Sequence, residues 1–403
     1  MIKYWLVIMA ALGLAAAPTA EAQVSDGVIK IGVLTDMSSL YADLSGQGSV
    51  IAARMAVEDF GAAKKGMKVE IISADHQNKA DVGSGIARQW LDSDKVDVIV
   101  DTPNSAVALA VNQIVKEKGK AFLVSGAASS DLTGKACSPN TIHWTYDTWA
   151  LANGTGSAIV KTGGDTWFFL TSDYAFGHAL ERDTEAVVLK NGGKVLGKVR
   201  HPLNTADFSS FLLQAQASKA KVIGLANAGG DTTNAIKQAA EFGIVKGGQS
   251  LAGLLVFITD VHALGLPTAQ GLIMTGAFYW DMNDKTRAFS KRFAELDRDI
   301  HPTMIHAGVY AATLHYLKAV EALKSDDGTK VIARMKDTPT DDPLFGKGTI
   351  RADGRKIHPM YLFEVKKPAE SKGPWDYYKL RATIPAEQAF RPIDQGDCPL
   401  VKK

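Results

Sequence analysis

Short apolar runs alternate with amphipathic helical patterns along the chain. Ile29–Leu34 reads as a first strand, after which Val50, Ala53, Val57 and Phe60 recur at helical spacing. Strands follow at Val69–Ser73, Val96–Val100 and Phe122–Ser125, separated by helices through Ile86 and Trp90 and through Val107, Ala110, Val111 and Ile114. Such β–α alternation predicts parallel strands covered by helices on both faces. One doubly wound unit is complete by about residue 140, and the pattern then restarts.

In the second unit, strands are predicted at Trp167–Thr171, Val195–Val199, Val222–Ala226 and Leu254–Ile258. One helix stops near Asn191-Gly192-Gly193, and others run over Phe208–Ala217 and Thr232–Phe242. Asp207 and Asp231 stand where helix caps are expected. After Gly271–Thr275 the chain becomes helical through Phe289, Phe293 and Leu296, and again through Val309, Ala312, Leu317 and Val320. Short strands return at Gly348–Ile350, Tyr361–Val365 and Tyr377–Leu380. The expected fold class is α/β, with two doubly wound parallel-sheet lobes between which the chain crosses more than once.

Composition narrows the function. A chain of 403 residues exceeds what one core usually supports, which agrees with two lobes. The 45 basic and 43 acidic residues nearly cancel, so the electrostatic footprint of a nucleic-acid binder is missing. Lys3, the apolar run Trp5–Ala17 and the small residues of Ala20-Glu21-Ala22 form a signal peptide, residues 1–22, with cleavage expected after Ala22. That apolar run is too short to span a membrane. The expected product is a soluble, exported protein. Export places Cys137 and Cys398 in an oxidising compartment, which favours pairing them across 261 positions. A loop that long contributes roughly 5 kcal/mol in the chain-entropy picture. Two separately buried thiols are the alternative.

No sequence pattern carries a reaction. Gly46-Gln47-Gly48 lacks the third glycine of a dinucleotide loop and lies well past the first strand. Gly346-Lys347-Gly348 ends in glycine where a phosphate loop needs a hydroxyl, and no G-x-S-x-G elbow occurs. His301 and His306 are off the spacing of paired helical metal ligands, and Asp337, Asp341 and Asp342 fall in a Pro-containing stretch that reads as solvated loop. No catalytic residue, metal or cofactor is expected.

Five segments in order carry a resemblance. They are Ile29–Leu34 running into Asp36-Met37-Ser38-Ser39; Phe122–Ser130 with Asp131-Leu132-Thr133; Asp173-Tyr174-Ala175-Phe176-Gly177; Thr205–Ser210; and Ala239-Ala240-Glu241-Phe242-Gly243. Over essentially the whole mature chain, the sequence resembles the periplasmic solute-binding proteins of ABC transporters, in the Leu/Ile/Val-binding (type I) family. The resemblance implies lobes joined by a three-strand hinge, with crossovers near Ile142–Tyr146, Gly271–Thr275 and Phe345–Ile350. It divides the chain into an N-terminal lobe (23–143 plus 276–345), a C-terminal lobe (144–275 plus 346–385) and a tail (386–403).

The same resemblance implies a site. Family members hold a ligand carboxylate with hydroxyls and backbone N–H groups at helix starts, where the helix dipole favours an anion. The matching positions are Asn104, Ser105, Ala127, Ala128 and Ser129; plain helix capping is the competing role for the serines. The first loop carries Leu44 where many relatives have an aromatic residue, with Tyr41 close by. In the second lobe Asp260, beside Thr259, is the nearest counterpart of an ammonium partner. Trp144, Tyr146, Tyr174, Phe176, Phe278, Tyr279 and Trp280 are candidates for facing the cleft, where flat rings suit a flat ligand. Asn227 and Ala228 open a helix at a turn where relatives contact ligand. The expectation is a monomeric binding component of an ABC importer that passes a small carboxylate, preferably an aromatic acid, to an inner-membrane permease. Branched-chain or other amino-acid binding, a sensory binding protein and a periplasmic enzyme are the alternatives.

Overall fold

The computed structural model describes residues 24–402, so the expected signal peptide lies outside the described residues. The first sheet is parallel. It contains β1 (Ile29–Thr35), β2 (Val69–Asp75), β3 (Val98–Asp101), β4 (Ala121–Val124) and β5 (Thr141–His143), in the order β2-β1-β3-β4-β5. Its central strands are buried on both faces, which is why they read as unbroken apolar runs. Ile31, Val33, Val98, Val100 and Leu123 face the helices Gly46–Phe60 and Met304–Leu323. Leu34, Ile99, Phe122 and Val124 face Trp90 and the helix Ser105–Lys118 on the other side. Gly32 is required on β1 because a Cβ there would stand 2.5 Å from the Trp90 ring.

The second sheet, also parallel, runs in the order β7-β6-β8-β9, from β6 (Thr166–Ser172), β7 (Lys194–His201), β8 (Val222–Ala226) and β9 (Ser250–Gly253). The last of these corrects the expectation of a strand at Leu254–Ile258. β8 ends at Ala226 and pairs Leu225 with Gly253, so the chain beyond Gly253 has almost no neighbour left to bond. It leaves the sheet and enters the helix Ile258–Leu264. Asp207 stands one residue before the N-cap, which is Phe208, and closes the turn into the helix Ser209–Ala217 by accepting from the Ser209 N–H at 2.8 Å. Asp231 is not a cap: it lies inside its helix and accepts from the Asn204 and Thr205 N–H groups, closing a neighbouring loop.

The late elements divide. The helices Met304–Leu323 and Gly328–Asp337 pack in the core of the first sheet through Val309, Ala312, Val331 and Met335. β10 (Ile273–Gly276), β14 (Met360–Val365) and β15 (Tyr378–Ile384) form an antiparallel sheet whose Met274, Phe363 and Tyr378 join the core of the second lobe. Between them β11 (Thr340–Asp342), β12 (Gly346–Ile350) and β13 (Lys356–Ile357) make a small antiparallel sheet. The predicted strands at Gly348–Ile350, Tyr361–Val365 and Tyr377–Leu380 fall on these elements. Cys137 and Cys398 are bonded, with Cα atoms 5.6 Å apart, and tie the tail to the first lobe. Among the described residues, no helix is long and apolar enough to cross a membrane.

Candidate functional site

In open parallel sheets, ligands bind beyond the carboxyl ends of the strands. Here the loops leaving β1, β3, β4, β6, β8 and β9 converge on one narrow cavity. From the first lobe come Tyr41, Leu44, Pro103, Gly126 and Ala128; Tyr146 enters from the crossover after β5; Tyr174, Phe176, Ala228, Leu255 and Phe257 close the other side.

Local chemistry fixes these side chains. The buried Asp36 carboxylate organises the first loop, accepting from the N–H groups of Ser39 and Tyr41 at 3.0 and 2.8 Å and from Asn78 Nδ2 at 2.8 Å. The Tyr41 hydroxyl then meets the Tyr174 hydroxyl across the lobes, 2.6 Å away. Tyr146 donates its hydroxyl to the Gly126 carbonyl at 2.6 Å, while its own carbonyl accepts from buried Arg355 Nη1 at 2.9 Å. At the turn after β8, Gly229 has φ +58°, and a Cβ there would stand 2.8 Å from the Leu40 carbonyl of the opposite lobe. Only glycine satisfies both demands.

Outside the cavity the lobes are clasped. Arg182 donates to Asp131 Oδ1 at 3.1 Å and to Ser130 Oγ at 2.8 Å, and the Ser130 and Thr148 hydroxyls both donate to Asp183 Oδ2 at 2.6 Å. With the Tyr41–Tyr174 bond and the Gly229 contact, these bonds define a closed arrangement.

No charged side chain lines the cavity. Burial pushes the phenols of Tyr41, Tyr146 and Tyr174 above their ordinary range, so all three stay neutral donors near neutral pH. Behind the wall of Pro103 and Gly126 sits Asp101, fully buried with φ +77° and with no hydrogen-bond partner of ordinary geometry on either oxygen. A Cβ on Gly126 would stand 2.8 Å from Asp101 Oδ1. Burial pushes this carboxyl up to about 7, which the Ser49 and Thr35 hydroxyls offset only in part.

Of the residues read from sequence, the cavity brings together Tyr41, Leu44, Ala128, Tyr146, Tyr174, Phe176 and Ala228. The others stand elsewhere. The Asn104 side chain caps its helix, accepting from the Ala106 and Val107 N–H groups. Ser105 Oγ accepts from the N–H groups of Ala128 and Ser129, at 3.3 and 3.2 Å. The Ala127 carbonyl is bonded to His143 Nε2, and Ser129 Oγ caps the turn that follows it by accepting from the Asp131 N–H. Asn227 is engaged by His201 and by the Thr232 hydroxyl. Asp260 accepts from the Phe257 N–H at 2.8 Å and borders a separate outer cleft with Asp43 and Thr259; burial raises it to about 7. Phe278 lines a neighbouring cavity and meets Phe289 edge-on. Trp144 lies in the hinge beside His315, and Tyr279 and Trp280 bond the Trp375 carbonyl.

Pro103, Gly126, Leu255 and Phe257 line the cavity without having been singled out. Gly126 lies within Phe122–Ser130, one of the segments that carry the resemblance, but was not named as a site residue. Leu255 and Phe257 were visible only as part of an apolar run.

Residues 28–373 match the periplasmic binding protein family, and the chain belongs to it. A periplasmic binding protein from Burkholderia mallei is 54% identical with a TM-score of 0.91, covering 94% of this chain and 100% of its own. A branched chain amino acid ABC transporter periplasmic ligand-binding protein from Burkholderia xenovorans LB400 is 42% identical, with a TM-score of 0.81 and coverage of 92% and 99%. A solute-binding protein of an ABC transporter from R. palustris, solved with benzoate, shares the fold at 22% identity, with a TM-score of 0.81 and coverage of 93% and 100%. These relatives are solute-binding proteins rather than enzymes.

Proposed function

We propose that the protein is the periplasmic binding component of an ABC importer, and that it closes on a small aromatic carboxylate for delivery to an inner-membrane permease. The observation that carries this reading is the lining: apolar and aromatic walls, three neutral phenols and no acid to meet an α-ammonium. The benzoate-holding relative supports the reading by showing that this fold accommodates such a ligand. In the proposed complex the ring lies among Tyr41, Tyr174, Phe176 and Phe257. The carboxylate replaces the Gly126 carbonyl as acceptor of the Tyr146 hydroxyl and replaces Ser105 Oγ as acceptor of the Ala128 and Ser129 N–H groups, with Ser105 Oγ turning to donate to it.

In this proposal residues 23–143 and 276–345 form one lobe and 144–275 and 346–385 the other, with residues 386–403 as a tail. They close about the three crossovers, as a monomer released after Ala22. A second reading, an amino-acid ligand, draws on Asp260, which borders the outer cleft beside Asp43. The test is the melting temperature of residues 23–403 with benzoate, 4-hydroxybenzoate, leucine and valine. A ligand at a hundred times its dissociation constant adds about 2.7 kcal/mol and raises the melting temperature by several degrees. Stabilisation by the benzoates alone is expected; stabilisation by leucine or valine alone would replace the aromatic reading with the amino-acid one.

A further inference from the structure

The ligand cavity has a neighbour. A second cavity lies next to it, and Phe257 lines both. The second space is apolar, bounded by Val256, Met274, Phe278 and Phe363, and it is built from both lobes because Thr303 and Met304 of the late helical block supply part of the wall. Gly276 at the end of β10 adds a wall without a side chain; a Cβ there would come within 3.2 Å of the Phe363 ring. Tyr378 lines it too, a residue 8% exposed whose hydroxyl is buried and has no hydrogen-bond partner. Buried hydroxyls are ordinarily paired, so an orphan in a cavity marks a place where an acceptor is wanted.

The Phe257 ring can be changed without displacing its backbone. Its N–H donates to Asp260 Oδ2, which anchors the start of the helix Ile258–Leu264, and its ring meets Tyr146 edge-on at 6.2 Å. The backbone is therefore held by the cap, while the side chain is the wall that the two spaces share.

We propose that Phe257 determines ligand length in this protein. Its ring separates the ligand cavity from a distal apolar subsite, and both open further when the ring is removed. That subsite suits the far end of an elongated aryl carboxylate: a second ring, bearing an acceptor oxygen within reach of Tyr378. The proposal rests on the aromatic-acid reading given above.

Calorimetry on the wild type, Phe257→Ala and Phe257→Leu, with benzoate, biphenyl-4-carboxylate and 4′-methoxybiphenyl-4-carboxylate, tests it. The wild type should bind benzoate and reject both biphenyls. Phe257→Ala should raise affinity for the biphenyls relative to benzoate by at least about thirtyfold, about 2 kcal/mol, with benzoate itself weakened by the lost wall. Phe257→Leu should fall between. Adding Tyr378→Phe to Phe257→Ala should cost the methoxy compound about fivefold and leave plain biphenyl unchanged, a split that general damage to the fold would not produce. A Phe257→Ala protein that still binds benzoate but gains nothing for the biphenyls overturns the partition. Should the wild type bind leucine and not benzoate, the ligand class is wrong. The partition then stands only if Phe257→Ala gains for homophenylalanine relative to leucine.

Discussion

The ligand cavity and the hinge beneath it bury polar groups in opposite ways. The cavity keeps its polar atoms neutral and exchangeable: Tyr41 bonds Tyr174, and Tyr146 bonds the Gly126 carbonyl. Behind its wall, Asp101 is pushed toward its neutral form by burial. The hinge instead buries charge. Arg355 is fully buried with Asp147 Oδ2 3.5 Å away and the Phe390 ring beneath it. Lys356, also fully buried, has only Asp342 at 3.9 Å and the rings of Trp144 and Phe345 for company, and burial lowers it to about 8. Neutral hydrogen bonds are worth little net and can be traded for a ligand's. A buried ion pair is costly to break and so fixes geometry. The contrast teaches that the site is soft where the ligand enters and hard where the lobes are joined.

Breaking the hard region should have the largest effect. Arg355→Met strands Asp147 without a cation and the Tyr146 carbonyl without its donor, and should cost about 3–5 kcal/mol in urea unfolding. A cost under about 1 kcal/mol would show that the hinge does not depend on its buried charge. The next prediction concerns pH. Asp101 titrates near 7 in the folded protein and near 4 unfolded, so between those values the folded state binds more protons and the wild type loses stability as pH rises. Asp101→Asn, which tolerates the positive φ, lacks this loss. Its stability relative to wild type should climb by on the order of 1 kcal/mol per pH unit from about 4 to about 7, then level off. A difference that is flat with pH would place the carboxyl in an ordinary environment.

Smaller effects sharpen the soft side. Tyr146→Phe removes a donor from the ligand and should weaken benzoate binding about tenfold in calorimetry; unchanged affinity would take Tyr146 out of the site. Smallest is the clasp. Arg182 is half-exposed, so Arg182→Ala should lower affinity only about two- to fivefold, and less at high salt, without touching the cavity. A loss that ignores salt would point to packing rather than charge.

Much of the fold was legible because buried parallel strands write themselves as apolar runs: β1, β3, β4, β6 and β8 fall where those runs do, while the edge strands β2 and β7 show apolar positions interrupted by polar, exposed ones. The run at Leu254–Ile258 misled for a physical reason. Leu254, Leu255, Val256 and Phe257 are apolar because they build cavity walls and core, not because they extend a sheet, and periodicity cannot tell these apart. In the site, aromatic residues were the readable part, since Tyr41, Tyr146, Tyr174 and Phe176 converge. Polar residues were less so. Asn104 and Ser129 serve helix and turn starts, and Asn227 bonds within its own lobe, because a short polar side chain beside free N–H groups has a local partner at hand. Asp101 gave no signal, as its importance lies in burial and in a backbone angle.

The central claim is recognition by neutral groups without a counter-charge for an ammonium. Calorimetry with phenylacetate and phenylglycine tests it most directly, because the two share ring and carboxylate and differ only in the α-ammonium. The account predicts that phenylacetate binds at least about tenfold more tightly; tighter binding of phenylglycine would contradict it and put Asp260 or another acid within reach of the ligand.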